Sequence, residues 1–403
     1  MPAPSAFAGI ETAPPDPILG LTEAFIADPN PHKVNLGVGV YQNACGRVPL
    51  LTAVQEAQKR WIAREDTKSY LPIDGLREYN RAVQQLLFGA GSAILAEQRA
   101  VTVQGLGGTG SLRVGADFLR RFFPRAAVWI SAPSWENHRA LFEGAGFRVE
   151  TYPYYDPGSH GLDFDAMLSG LRAAPSGDVV VLHACCHNPS GVDPMPDQWA
   201  QVVAVCAERG LIPFLDCAYQ GLGDGLEQDV AAVHAFVDSR LPFLVATSFS
   251  KSFSLYRERV GALTVVAPNA EEARRLLTQL KRVIRTNYSN PPSHGAQTVA
   301  LVLGDPQLRA QWVEELEAMR QRIQAMRDGF VAGLASEGVD RDFSFIARQK
   351  GMFSFSGLTK EQVRRLRAES SLYILDSGRI CVAAMNDGNL PTICRAIAGV
   401  LRT

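Results

Sequence analysis

Between about residues 100 and 265, short apolar runs alternate with amphipathic stretches. The runs at residues 100–103, 127–131, 148–153, 179–183, 211–216, 243–248 and 261–266 have strand length, and the segments between most of them are long enough for helices. Such alternation requires crossover connections. It predicts a largely parallel sheet covered on both faces, with the chemistry along its carboxyl edge. After Ser289-Asn290-Pro291-Pro292 the pattern changes, and Trp312, Leu316, Met319, Ile323, Met326 and Phe330 recur at steps of three and four, predicting a long amphipathic helix. Beyond it, residues 352–357 and 379–383 read as strands of a smaller α+β unit, which the proline-containing start of the chain (Pro14, Pro15, Pro17) is expected to join. The predicted division is a large α/β domain over residues 51–310 and a small domain built from residues 1–50 and 311–403.

Composition narrows the function classes. With 403 residues, 46% hydrophobic and 20% charged, the chain can bury a sizeable core, and a formal net charge of −1 offers no electrostatic case for nucleic acid or an acidic membrane surface. No apolar stretch approaches the roughly 18 residues of a spanning helix, and Met1-Pro2-Ala3-Pro4-Ser5 lacks a basic segment leading into an apolar one, so a cytoplasmic protein is expected. Seven scattered cysteines, an odd number, argue against a disulfide framework in so long a chain. The cluster His183-Ala184-Cys185-Cys186-His187 invites a zinc reading. It continues the strand-like residues 179–183, however, and strand alternation would send neighbouring side chains to opposite faces, so no metal site is expected.

The candidate chemistry gathers at predicted strand ends. Lys251 follows the run 243–248 within Ser248-Phe249-Ser250-Lys251-Ser252, and Asp216 and Tyr219 follow the run 211–215. A lysine whose charge is discouraged by its surroundings becomes a Schiff-base nucleophile, and a carboxylate can hold a pyridine nitrogen protonated. Gly105-Leu106-Gly107-Gly108-Thr109-Gly110 lies between a strand-like run and a helix-like segment, where backbone N–H groups, a helix terminus and the Thr109 hydroxyl suit a phosphate. As a dinucleotide fingerprint it is weak, because the region about twenty residues on, at Val128-Trp129-Ile130-Ser131, lacks the acid that would hold a ribose. Plainer readings stand beside these: a solvated lysine, a strand-end or capping carboxylate, and a tight turn before a packed helix.

Nearly the whole chain resembles the class I aminotransferases, specifically the aspartate and aromatic amino-acid transaminases. The likeness is carried by Val34-Asn35-Leu36-Gly37-Val38-Gly39-Val40-Tyr41, Tyr70-Leu71-Pro72-Ile73-Asp74-Gly75, Pro133-Ser134-Trp135-Glu136-Asn137-His138, Cys185-Cys186-His187-Asn188-Pro189-Ser190-Gly191, Asp216-Cys217-Ala218-Tyr219-Gln220-Gly221, Tyr288-Ser289-Asn290-Pro291-Pro292 and Ser377-Gly378-Arg379. The resemblance implies a homodimeric fold-type I enzyme using pyridoxal 5′-phosphate, with active sites shared between subunits.

By that resemblance Lys251 bonds covalently to the cofactor and later shuttles the substrate proton. Asp216 faces the pyridine nitrogen, and Tyr219 and Asn188 face the phenolic oxygen. Trp135 stacks on the ring, and Gly108, Thr109, Ser248, Ser250 and Arg259 grip the phosphate, with Tyr70 reaching it from the other subunit. Arg379 binds the substrate α-carboxylate with Asn188 and Gly39. Arg285, also from the neighbour, binds a distal carboxylate, although Lys281 and Arg282 beside it leave a solvated basic face open as an alternative. Val40, Thr109 and Asn290 look like the aspartate branch, whereas Tyr70-Leu71-Pro72, residues 114–119, 144–147 and Phe253-Ser254-Leu255-Tyr256 look more like the bacterial aromatic branch; Gln42, Val48 and Ser69 match neither. The expected substrates are therefore aromatic and dicarboxylic amino acids with 2-oxoglutarate, aromatic activity favoured; the alternative is an aspartate aminotransferase with little aromatic activity. A nicotinamide oxidoreductase would leave Lys251, Asp216 and both arginines without roles. A noncatalytic binding protein should have lost a reacting residue, and none is missing; the paired arginines disfavour other pyridoxal-phosphate chemistries.

Overall fold

In a computed structural model of the protein, residues 5–13 and 17–402 are described. Met1, Pro2, Ala3 and Pro4 of the opening segment, and Pro14 and Pro15, lie outside the described residues.

Seven strands form the central sheet: β1 (Ala100–Leu106), β2 (Val128–Ala132), β3 (Val149–Pro153), β4 (Val179–His183), β5 (Ile212–Cys217), β6 (Phe243–Ser248) and β7 (Val260–Val266). Their order is β1-β7-β6-β5-β4-β2-β3, and every neighbouring pair is parallel except those made by β7, which runs antiparallel to β1 and β6. The fold is α/β. Along β4, Val179 and Val181 enter one apolar cluster and Val180 and Leu182 the other, so period-two alternation places the strand between two cores. This explains why these strands read as unbroken apolar runs.

One local expectation fails. The glycine stretch does not form a turn from residue 105: Gly105 and Leu106 are the last residues of β1, in register with Gly261 and Val260 of β7, and the helix α1 (Gly107–Phe122) begins immediately after. Pairing with β7 overrides the local turn composition. Gly107 then makes the reversal with a φ of +69°, a conformation costly for residues with a Cβ.

The helices α2 (Glu136–Gly144) and α3 (Ala270–Asn287) flank the sheet, and the long amphipathic helix is α4 (Pro306–Ser336), with Trp312, Leu316, Met319, Ile323, Met326 and Phe330 all buried. Strand Phe353–Phe355 pairs antiparallel with Arg379–Cys381, and Val34–Asn35 pairs parallel with Leu372–Tyr373. Both C-terminal strands are shorter than expected. The second gives way to a 3₁₀ turn at Val382–Ala384.

A Cβ at Gly261 would meet backbone atoms of Gly107 at 2.4 and 2.5 Å and of Thr247 at 2.7 Å, none able to swing aside. Gly261→Ala should therefore lower stability by roughly 3 kcal/mol in denaturant unfolding. Gly399→Ala, on an exposed helical site with open space, should change it by less than about 1 kcal/mol and in the stabilising direction.

Candidate active site

The carboxyl ends of β4, β5 and β6 and the first turn of α1 converge on one pocket. Its walls include Gly39, Gly108, Thr109, Trp135, Asn188, Asp216, Tyr219, Ser248, Ser250, Lys251, Arg259 and Arg379. Apart from Tyr70 and Arg285, every site residue expected from the sequence is therefore in one place. Tyr70 is 90% exposed, and Arg285, on the exposed side of α3, donates to Ser289 Oγ. Neither lines the pocket of this chain.

Lys251 Nζ sits 5.1 Å from the centre of the Tyr219 ring. Burial, helped by the positive charge of Arg259 and opposed by Asp216, lowers its amine from 10.5 to about 8. The Asp216 carboxylate meets the opposite balance. Burial would raise it, but the hydrogen bond from His138, with the positive charge of Lys251, holds it below the usual value. His138 Nε2 lies 2.9 Å from Asp216 Oδ2; an ionised carboxylate can only accept, so Nε2 carries the proton, and Nδ1 meets Ser134 Oγ at 2.9 Å. Asn188 Nδ2 donates to the Tyr219 hydroxyl at 3.3 Å, and burial holds the Tyr219 phenol well above its ordinary value.

At the head of α1 no side chain caps the first turn, so Gly108 and Thr109 bring uncapped N–H groups to the pocket. Ser250 N donates to Ser248 Oγ, and Arg259 Nη1 reaches Ser250 Oγ at 3.4 Å. A Cβ on Gly107 would lie 2.7 Å from Arg259 Nη2, so the glycine also makes room for the guanidinium.

Across the pocket Arg379 is 1% exposed. Nη2 donates to the Gly37 carbonyl at 2.7 Å, Nη1 to Asn188 Oδ1 at 3.2 Å, and Glu136 Oε2 stands 3.7 Å away. Nε has no hydrogen-bond partner among the described residues. The guanidinium lies 4.3 Å from the centre of the Phe353 ring.

The histidine cluster corrects part of the sequence reading. Strand alternation ends at His183, the chain turns with Cys186 at a φ of +52°, and the His183 and His187 rings come together at 4.3 Å. Geometry thus does not keep them apart. What occupies His187 is a pair of serines, with Nε2 at 2.9 Å from Ser131 Oγ and Nδ1 at 2.7 Å from Ser190 Oγ. His138, His183 and Asp216 also present ligand atoms within 4.8 Å of one another, but His138 and Asp216 already share a proton. His183 lines the pocket with neither ring nitrogen hydrogen-bonded among the described residues, and burial pushes it well below its usual value, so it is neutral.

His138, Phe353 and Tyr256 carry no site expectation from the sequence, and His183 entered only through the metal reading, not as a wall of this pocket. His138 belongs to a motif that was quoted, but its partner lies 78 residues away. Tyr256 lines the pocket and its hydroxyl accepts from Tyr41 N, a link that no local pattern signals.

Residues 31–397 match the family model for aminotransferases of class I and II. The chain belongs to this family. It is 57% identical to an aspartate aminotransferase of Pseudomonas aeruginosa over 98% of this chain and all of the relative. A solved aromatic-amino-acid aminotransferase of Burkholderia pseudomallei, covalently bound to pyridoxal phosphate, is 58% identical with a TM-score of 0.97, covering 98% of this chain and 100% of that one. A psychrophilic aromatic amino acid aminotransferase from Psychrobacter sp. B6, cocrystallised with aspartic acid, is 44% identical with a TM-score of 0.96 at the same coverage. The protein is an aminotransferase, and its substrates are amino acids and oxo acids.

The lowered amine has a direct consequence. In cofactor-free protein, reductive trapping of a small aldehyde on Lys251, mapped by peptide mass spectrometry, should rise with pH to a half-maximum near about 8 rather than 10.5. A profile still climbing steeply above pH 10 would show that burial does not discourage the charge.

Proposed function

We propose that this aminotransferase uses pyridoxal 5′-phosphate to move the amino group of aromatic and dicarboxylic L-amino acids to 2-oxoglutarate, aromatic donors being favoured. The observation that carries the reading is the single pocket in which a lysine of lowered basicity and a buried carboxylate face a buried, incompletely satisfied arginine. The residues fit the cofactor: uncapped N–H groups at a helix start with two serines and an arginine suit its phosphate, Trp135 offers a ring face, and Asp216 offers a carboxylate held ionised by His138.

When bound, pyridoxal phosphate supplies an aldehyde that joins amines and a ring that takes up the electrons of a breaking Cα–H bond. The chain does the rest. Lys251 is the covalent anchor and, once displaced by substrate, the base that takes the Cα proton and returns it elsewhere. Asp216 keeps the pyridine nitrogen protonated, and the hydrogen bond from His138 keeps Asp216 charged for that task. Tyr219 and Asn188 donate toward the phenolic oxygen. Gly108, Thr109, Ser248, Ser250 and Arg259 hold the phosphate.

Arg379 takes the substrate α-carboxylate, with Asn188 and Gly39 beside it. Its support is the buried guanidinium in the pocket wall, whose planar fork of N–H donors matches a carboxylate. The exposure of Tyr70 and Arg285 supports a homodimer in which each lends these side chains to its partner's phosphate and distal carboxylate. We assign residues 51–310 to a cofactor-binding domain and residues 1–50 with 311–403 to a small domain; the pairing of Val34–Asn35 with Leu372–Tyr373 supports joining the two ends. Seven unpaired cysteines and the lack of any helix long and apolar enough to cross a membrane among the described residues support a cytoplasmic setting. A second reading, aspartate aminotransferase with little aromatic activity, is favoured by the Pseudomonas relative.

Steady-state kcat/KM for aspartate, tyrosine and phenylalanine with 2-oxoglutarate separates the two: comparable or greater efficiency with the aromatics is expected, and activity confined to aspartate would establish the second reading. Lys251→Ala should retain cofactor weakly and turn over negligibly. Arg285→Ala should lower kcat/KM roughly 10- to 100-fold for dicarboxylates and far less for phenylalanine. An even loss across both would reject the distal-carboxylate role.

A further inference from the structure

Helix α4 buries an arginine on its apolar face. Arg327 stands four residues after Ile323 and three before Phe330, both core positions, and is itself 0% exposed. A charge at a core position departs from the helix pattern, and such departures collect at functional places. No described carboxylate bonds to it, and Asp193 and Asp328 attract it only at longer range. Its partners instead come from one short segment: Nη1 donates to the Ile346 carbonyl at 3.0 Å and to Ser354 Oγ, and Nη2 donates to the Gly351 and Phe353 carbonyls at 2.7 Å each.

That segment carries a wall of the active site. Phe353 lines the pocket, its ring lies under the Arg379 guanidinium at 4.3 Å and edge-on to Tyr219 at 6.1 Å, and its tip is what a Cβ on Gly39 would strike at 2.7 Å. Phe353 and Phe355 pair in register with Cys381 and Arg379. The same turn is pinned to the segment just after Asn188, because Lys350 N donates to the Gly191 carbonyl at 2.6 Å. The planar fork of a guanidinium can satisfy three backbone carbonyls and a serine hydroxyl of a curled segment at once, which neither an ammonium nor an apolar side chain can do.

We infer that Arg327 is a positioning residue for substrate binding: by gathering the carbonyls of residues 346, 351 and 353 it sets the height of Phe353 beneath Arg379 and so tunes the grip on the substrate carboxylate. The inference rests on the assignment of Arg379 to that carboxylate. Burial lowers the Arg327 guanidinium to about 10, still high enough to stay charged at neutral pH.

The test measures binding of 3-phenylpropionate, an unreactive carboxylate, to the holoenzyme, together with kcat, KM, cofactor retention and the thermal midpoint. Arg327→Lys keeps a cation but loses the fork, and should weaken 3-phenylpropionate and raise KM for amino and oxo acids on the order of tenfold, with kcat and cofactor retention little changed. Phe353→Leu should do the same without touching helix α4. Because both act through one contact, the double variant should be about as impaired as the worse single one. Arg379→Lys is the control for the underlying assignment: if it leaves 3-phenylpropionate binding intact, the carboxylate reading itself falls. If it weakens binding while Arg327→Lys lowers only the thermal midpoint, or lowers kcat and cofactor retention with KM unmoved, Arg327 is purely structural and the inference is overturned. Additive losses in the double variant would also overturn it.

Discussion

Holding ionisable groups out of water without neutralising the wrong ones is the constraint on which this structure depends. An isolated buried charge is costly, so each must find partners or change its protonation. Lys251, Asp216 and Arg379 resolve the problem in three ways. Lys251 loses basicity, down to about 8; Asp216 recruits His138 and stays ionised; Arg379 spreads its charge over Gly37, Asn188 and the face of Phe353. These solutions require a sheet edge. Parallel strands β4, β5 and β6 all end at the same place, so residues far apart in sequence arrive together without a long loop.

The pattern of apolar residues was sufficient to find the sheet, because β4, β6 and β7 are buried along their whole length and their few polar residues, His183, Thr247, Ser248 and Thr264, interrupt the apolar runs little. Lys251, Asp216 and Tyr219 were legible for a related reason: each stands just beyond such a run, where an ionisable residue or phenol is conspicuous. Less legible were features made by pairing between distant segments. Gly105 and Leu106 look like turn residues and become strand only because Gly261 and Val260 lie opposite. His138 looks like an ordinary residue of a helix start until its partner 78 positions away is known. Phe353 looks like a core aromatic, and nothing nearby in sequence announces the guanidinium against its face. The histidine reading failed on conformation, since a left-handed residue at Cys186 cancels the alternation on which it relied.

The site residues divide by exposure as well as by role. Those proposed to hold the cofactor and the α-carboxylate are fixed by contacts within one chain, whereas Tyr70 and Arg285 stand at its surface. An exposed tyrosine ring is an expensive thing to leave in water and a favourable one to bury against a second protein. The proposed dimer accounts for both residues with one arrangement, and it would join catalysis to assembly, since neither chain alone presents a complete set.

Donor choice follows from the same division. The α-carboxylate is common to every amino acid and oxo acid, so on the proposed reading a rigid, buried Arg379 would serve all of them and discriminate among none. The other end of the substrate must alternately meet a second carboxylate, in 2-oxoglutarate, and an aromatic ring. A cation buried at that end would be left desolvated and unpaired whenever a ring entered, a penalty that can exceed what it contributes to dicarboxylate binding. Arg285 is solvated on the outer side of α3, with a long flexible stem. On the proposed reading it can meet a carboxylate or withdraw into water at little cost, so one pocket can accept two chemically unlike substrates in successive half-reactions. The breadth of the enzyme would then come from one arginine held rigidly and another carried on a flexible stem.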